Sequence, residues 1–343
     1  MSRFSTPLSA YAVQPLATLA LIFGAATSVA ALDVTPPTTI SAQAAAELRA
    51  LDPSRDPTLD GVSYAESFEL LTAPPEAIEA AKQAFPAKVE TRTIDGADHL
   101  LITPDNLNPA LEDHLLIHVH GGAHVFFSPD SALTSSLAAA QAVGVRILSV
   151  RYPLAWQAPF PASRDRVIAV YRSVLAEYPA ERLAFYGDSA GGGLILSSLQ
   201  QMQADGLDMP AAAALLSPWT DISGAGDSYA VMSGQDPIID YPISLAAAAR
   251  EYAGDLPLTD PGPSPIYGPI TSSLPPILLT TGTRDLFLSD VARLQRRLLD
   301  AQVPVELIVY EGMWHVFQTS TALPESGVAW ADMAEFLHRS WAR

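Results

Sequence analysis

The spacing of apolar residues divides the chain into two regimes. Across residues 38–86 the spacing is helical. "TTISAQAAAELRALD" and "PPEAIEAAKQAF" each bring apolar side chains round every three or four positions. Thr38, Thr39 and Ser41 offer caps for the first helix, and Pro74 and Pro75 suit the start of the second. From about residue 88 the period falls to two. "VETRTI" alternates, "HLLIT" is short and β-rich, and "HLLIHVHGG" is an apolar run closed by glycines. Strands and helices then take turns: "RILSVRY", "RDRVIAVYRSVLAEY", "RLAFYG", "AGGGLILSSLQQMQADG" and "AAAALLSPW". A stretch rich in Pro, Gly and Asp follows, with one helix near "ISLAAAAREYA". The alternation resumes with "PPILLTTGT", "SDVARLQRRLLDAQ", "PVELIVYEG" and a closing helix, "SGVAWADMAEFLHRSWAR". This order predicts an α/β fold: a mainly parallel central sheet with helices on both faces. In such a sheet, function gathers at the carboxyl ends of the strands.

One seam in the pattern carries chemistry. "FYGDSAGGGLIL" sets Ser189 among glycines, between a strand and a helix. Gly187 to Gly191 reads G-x-S-x-G in the strand–turn–helix context of a nucleophile elbow. So tight a turn strains the backbone of its central residue, and glycines beside it leave room. A helix beginning at Ala190 aims its N–H groups and positive dipole end at the same spot. The competing reading is a glycine-rich turn that binds phosphate or merely packs closely.

A serine hydroxyl needs a base, and the base needs an orienting acid. In this architecture the chain order is serine, acid, histidine. Two histidines follow Ser189. His338 falls within the closing helix and reads as a solvated side chain. His315 follows the strand "VELIVY" and is the candidate base. "ILLTTGTRD" brings Asp285 to the end of the preceding strand as the candidate acid. Asp290 is its rival, one helical turn later, where a carboxylate has an ordinary dipole role. "HVHGGAHVFF" supplies the third requirement: backbone N–H groups of Gly121 and Gly122, with that of Ala190, to hold an oxyanion. His118 and His120 share one face of their strand and could be taken for metal ligands. No carboxylate cluster accompanies them, so no metal is expected, and His120 is read as a brace for the loop. His124 either lines the pocket or faces solvent.

Taken together, "HGGA" (120–123), "GDSAGG" (187–192), "GTRDLFLSD" (282–290) and "GMWHVF" (312–317) resemble the hormone-sensitive-lipase-like carboxylesterases, bacterial family IV of the α/β-hydrolase fold. "YPLAWQAPFPA" (152–162) and "LSPWTD" (216–221) look like two further family segments. The likeness spans roughly residues 88–343. It implies a Ser189–Asp285–His315 triad, oxyanion donors at Gly121, Gly122 and Ala190, and no cofactor. It also implies a helical cap made of the N-terminal helices (32–86) and an insertion at about 221–265, over a catalytic domain spanning 87–343. Ala123 stands where the family usually has a third glycine, and His124 where it often has an aromatic. Pro153, Trp156 and Gln157 replace the common Arg, Pro and Glu.

The expected substrate is a small ester with a short- to medium-chain acyl group. Phe126, Phe127 and Trp219, with cap residues such as Tyr64, Phe68, Met232 and Tyr241, either line its pocket or belong to the core. The same triad would serve lactone or amide hydrolysis or sugar deacetylation, and a catalytically silent ligand-binding homologue is the reading from another class.

Charge and composition narrow the partners. A formal net charge of −18, with only Lys82 and Lys88 as lysines, repels phosphate backbones and anionic lipid heads and excludes nucleic acid. The chain has no cysteine, so no disulfide or thiolate chemistry is open to it. Residues 1–31 read as a signal peptide: Arg3, the apolar stretch "LATLALIFGAATSVAA", and small residues at Ser28, Ala30 and Ala31. The stretch is shorter than the roughly 20 residues a membrane span needs. The mature protein is therefore expected in the periplasm or the medium, with no stable membrane insertion; the alternatives are an uncleaved anchor, or a cytoplasmic protein whose amino-terminal segment is no functional signal. The pattern carries no signature of oligomeric state.

Overall fold

The computed structural model describes residues 35–51, 63–66 and 74–343. The expected signal peptide and Phe68 lie outside them. One sheet of eight strands runs through the described residues: β1 (Ala87–Ile94), β2 (Ala97–Pro104), β3 (Leu115–Val119), β4 (Arg146–Ser149), β5 (Leu183–Asp188), β6 (Ala212–Leu216), β7 (Ile277–Gly282) and β8 (Val305–Tyr310), in the order β1-β2-β4-β3-β5-β6-β7-β8. β1 and β2 form an antiparallel hairpin. Its turn, Asp95-Gly96, has positive φ at both residues, +50° and +72°, which matches the twist of the strands it joins. β2 is antiparallel to β4, and from β4 to β8 every pairing is parallel.

Period-two alternation sorts the strand side chains onto two layers. Leu115, Ile117, Val119, Leu183 and Phe185 join a core with α4 (Ala162–Val174), α5 (Ala190–Ala204) and α7 (Leu288–Asp300). Leu116, Ala184 and Tyr186 face the other way, toward α3 (Leu133–Val143) and α8 (Pro324–Trp341). Burial on both faces explains why the central strands read as unbroken apolar runs. Each fully buried Leu, Ile or Phe contributes on the order of 2 kcal/mol.

A third cluster sits over the carboxyl ends of the strands. It joins Ala44 and Leu48 of α1 (Ala42–Ala50) to Ile222, Tyr229 and Ile238 of the insertion and Tyr252 of its helix α6 (Ala246–Ala253), and to Trp219, Phe287 and Trp314 below. Ser41 caps α1 by accepting from Ala44 N at 3.0 Å, and its own N and Oγ donate to the Glu325 carboxylate at 2.7 and 2.9 Å. Among the described residues no helix is long and apolar enough to cross a membrane.

Three features depart from the sequence reading. α3 has no polar stripe to reveal it, because it is buried on most sides between the sheet, α2 (Pro75–Ala84) and α8. α2, expected in the cap, packs Ile78 and Ala81 against this body layer instead. His338 is half-buried rather than solvated, and its Nε2 donates to Val143 O at the end of α3, 2.8 Å away.

Candidate active site

β3 and β5 are neighbours, yet the chain leaves β3 toward β4 on one side and β5 toward β6 on the other. The loops therefore part above this pair and open a crevice at the strands' carboxyl ends. Ser189 stands in it, between the end of β5 and the start of α5, at φ +53°, ψ −125°. Such a conformation costs roughly 1–3 kcal/mol in a residue with a side chain. Its neighbours hold it there: Ser189 N donates to Leu216 O at 2.9 Å, and Ser189 O accepts from Trp219 N at 2.9 Å. α5 presses closely on β3, so that a Cβ at Gly191 would lie 2.0 Å from Val119 O. Only glycine admits that approach.

The loops after β7 and β8 meet beside the serine. Arg284 N donates to Met313 O at 2.9 Å, and Gly312 N to Thr283 Oγ1 at 2.8 Å. These bonds bring Asp285 and His315 to one place. His315 Nε2 lies 2.9 Å from Ser189 Oγ, and His315 Nδ1 lies 3.1 Å from Asp285 Oδ1. Asp285 Oδ1 also accepts from Phe287 N, and Oδ2 from Thr281 Oγ1, both at 2.9 Å. Both side chains are buried. Burial alone would favour a neutral imidazole, but the carboxylates of Asp285, Asp236 and Asp188 outweigh it and raise the His315 pKa. Burial works to raise Asp285, but His315, the Ser217 hydroxyl and the Phe287 N–H hold it below the usual carboxylate range. With Nδ1–H fixed on Asp285, Nε2 is free to accept the serine proton. The three residues that sequence spacing proposed are thus brought together.

The loop after β3 closes the other wall. Gly121 fits so tightly that a Cβ would lie 2.4 Å from Asp188 Oδ2 and 3.0 Å from the Ser189 Cβ. Gly122 adopts φ +107°. Among the described residues, no hydrogen bond within the protein engages the N–H groups of Gly121, Gly122 or Ala190. Ala123 and His124 both have positive φ, +51° and +63°, a region that glycine enters more readily than residues with a side chain.

His120 does brace the loop. Its Nδ1 donates to Gly121 O at 2.7 Å, Tyr152 OH donates to His120 O at 2.7 Å, and burial pushes its pKa down to about 4. His118 Nδ1 lies 2.8 Å from Ser149 Oγ and 3.0 Å from Ser136 Oγ. Trp156 Nε1 donates to Val125 O at 3.1 Å and Gln157 Oε1 accepts from Leu154 N at 2.9 Å, so these two departures from the family pattern also tie down loops.

His124 faces no solvent. It stacks on Tyr252 with ring centroids 3.5 Å apart, and burial pushes its pKa down to about 3. Trp219 is fully buried between His124 and Phe287, so it backs the aromatic wall rather than forming its surface. Phe126 is buried edge-on to Tyr64, and Phe127 is half-buried.

Asp290 is also more than a helix-dipole carboxylate. It is fully buried and accepts from Tyr229 OH at 3.0 Å and Asp221 N at 3.2 Å. Burial, then the nearby Asp221 charge, pushes its pKa well up. It does not touch the histidine; it seats the insertion on α7.

Sequence reading missed Asp236, from the unpatterned stretch after Met232. One ligating atom each from Asp236, Asp285 and His315 falls within a 4.8 Å group. These atoms are already spent on one another and on backbone N–H groups.

A family model described as α/β-hydrolase fold matches residues 116–319. An acetyl-hydrolase of Streptomyces hygroscopicus is 33% identical over 217 residues, 63% of this chain and 72% of that protein. The crystal structure of an esterase, E25, has a TM-score of 0.82 at 31% identity, covering 91% of this chain and 98% of its own. An esterase from the bacterial hormone-sensitive lipase family has a TM-score of 0.74 at 30% identity, covering 81% of this chain and 92% of its own.

Proposed function

Since the chain belongs to the hormone-sensitive-lipase-like family of α/β hydrolases, we propose that it is a serine carboxylesterase working through an acyl-enzyme on short- to medium-chain acyl esters. His315 Nε2 takes the proton as Ser189 Oγ attacks the ester carbonyl. The N–H groups of Gly121, Gly122 and Ala190 receive the negative oxygen of the tetrahedral intermediate. His315 returns the proton to the leaving alcohol, and water, activated the same way, releases the acid. Asp285 keeps the proton on Nδ1 and stabilises the imidazolium. The observation that carries this reading is the 2.9 Å separation of Ser189 Oγ and His315 Nε2, on a turn whose strain lifts the hydroxyl out of the sheet.

The acetyl-hydrolase relative and the bulky rings about the site favour the short end of the acyl range. Turnover of aryl esters is expected to fall as the acyl chain lengthens; a maximum on long triglycerides overturns this part. A fluorophosphonate should add one adduct by intact mass, on Ser189, and Ser189→Ala should lower kcat by about 10⁶. Wild-type turnover in that variant sinks the whole reading. The amino-terminal segment supports export, which a mature mass lacking the first 30 or 31 residues would verify and a full-length mass in the cytosol would refute.

A further inference from the structure

Asp236 belongs to the insertion, yet its buried carboxylate reaches the acid and the base below. Oδ2 accepts from the N–H of Leu286, the residue after Asp285, at 2.9 Å. Oδ1 accepts from Ile238 N at 2.9 Å and Ile239 N at 3.4 Å. A second insertion residue grips the same turn from its other polar group: Ser228 Oγ donates to Leu286 O at 2.6 Å and accepts from Ser289 N at 2.9 Å. Both the N–H and the C=O of Leu286 are therefore held from the insertion. The hydrolase body holds the Asp285 carboxylate itself, through Thr281 and Phe287.

A buried carboxylate is costly unless it is paired and hydrogen-bonded. Backbone N–H groups meet only part of that need. Among the described residues, the group beside Asp236 able to carry a positive charge is His315, which is cationic whenever it holds a second proton, at low pH or in the course of the reaction. Two carboxylates thus face one imidazole, Asp285 bonded to it and Asp236 close by. We propose that Asp236 is a positioning residue for acyl transfer: through it the insertion fixes the Asp285 turn and sets a second negative charge against the imidazolium of His315. This rests on His315 acting as the base.

Burial pushes Asp236 up to about 7, and its charge is one of those that raise His315, beside Asp285 and, from the elbow, Asp188. Asp236 and His315 each bias the other's titration, so the acid limb of the rate profile depends on both.

The test measures kcat and KM on an aryl acetate from pH 5 to 9, with Tm, for wild type, Asp236→Asn, Ser228→Ala and Ser189→Ala. Asp236→Asn is expected to lose tenfold or more in kcat, keep KM within twofold, and move the acid limb down by at least half a pH unit. Ser228→Ala, which loosens the same turn without changing charge, should leave the limb in place. A wild-type kcat and limb in Asp236→Asn overturns the proposal. So does an equal limb shift in Ser228→Ala. If Asp236→Asn does not fold, the His315 ring resonances of the wild-type protein decide: two titration steps support the pair, and one simple step overturns it. An active Ser189→Ala would mean instead that the underlying esterase reading has failed.

Discussion

The two walls of the crevice are built from different materials. On the β3–β5 side the work falls to the backbone: a strained serine, glycines that admit close approach, and N–H groups that, among the described residues, no hydrogen bond within the protein engages. On the β7–β8 side it falls to buried ionisable side chains, Asp285, His315 and Asp236, each held by hydrogen bonds. The first wall fails when a Cβ is added, whatever its polarity. The second fails when a charge is lost, even if the shape is kept.

After Ser189→Ala, the largest effect is expected from Asp285→Asn, which preserves shape and removes charge. With the Nδ1 proton no longer fixed, kcat should drop by about 10⁴, while Tm changes little. A loss under tenfold would mean that the histidine wall does not depend on charge. On the serine wall, Gly121→Ala introduces no charge, yet its Cβ falls onto Asp188 and Ser189. Displacing one oxyanion donor should cost about 10² to 10³ in kcat. Normal turnover would show that this loop is not built by backbone approach.

The walls should also differ in their response to pH. In the proposed mechanism the base must be neutral to act, and the carboxylates around His315 raise its pKa above the ordinary imidazole value of 6.5. kcat/KM is therefore expected to rise about tenfold per pH unit until it levels off above 6.5, with Asp285 ionised throughout. A plateau already reached below pH 6.5 would contradict that electrostatic picture. The smallest effect is expected from Thr281→Val, which deletes one hydroxyl from the Asp285 carboxylate. A single such bond is worth about 1 kcal/mol, so kcat should fall roughly three- to tenfold. An unchanged kcat would show that Phe287 N–H and His315 suffice to hold the acid.

Much of this was legible before any coordinates. Ser189, Asp285 and His315 stand at the ends of strands whose apolar runs mark them plainly, and the glycines announce the tight turns. The parallel α/β sheet followed from the alternation of periods, and the fold bears it out. α3 escaped because a helix enclosed on most sides loses the polar stripe that periodicity detects. Asp290 was weighed by its place in a helix, whereas its surroundings are set by the insertion folded over it. His124 stayed undecided because nothing in its neighbours names Tyr252 as the ring it stacks on.

The sequence by itself determined the order of the eight strands, the strained turn and the chain order of Ser189, Asp285 and His315. Each depends on residues a few positions apart, where local sterics and burial on one face or two leave a readable period. Only the tertiary structure decided the partners of each buried charge. Asp236 meets Leu286 across 50 residues, and Ser189 meets His315 across 126. A carboxylate's protonation depends on what stands within a few ångströms, and that distance is fixed by packing rather than by spacing along the chain.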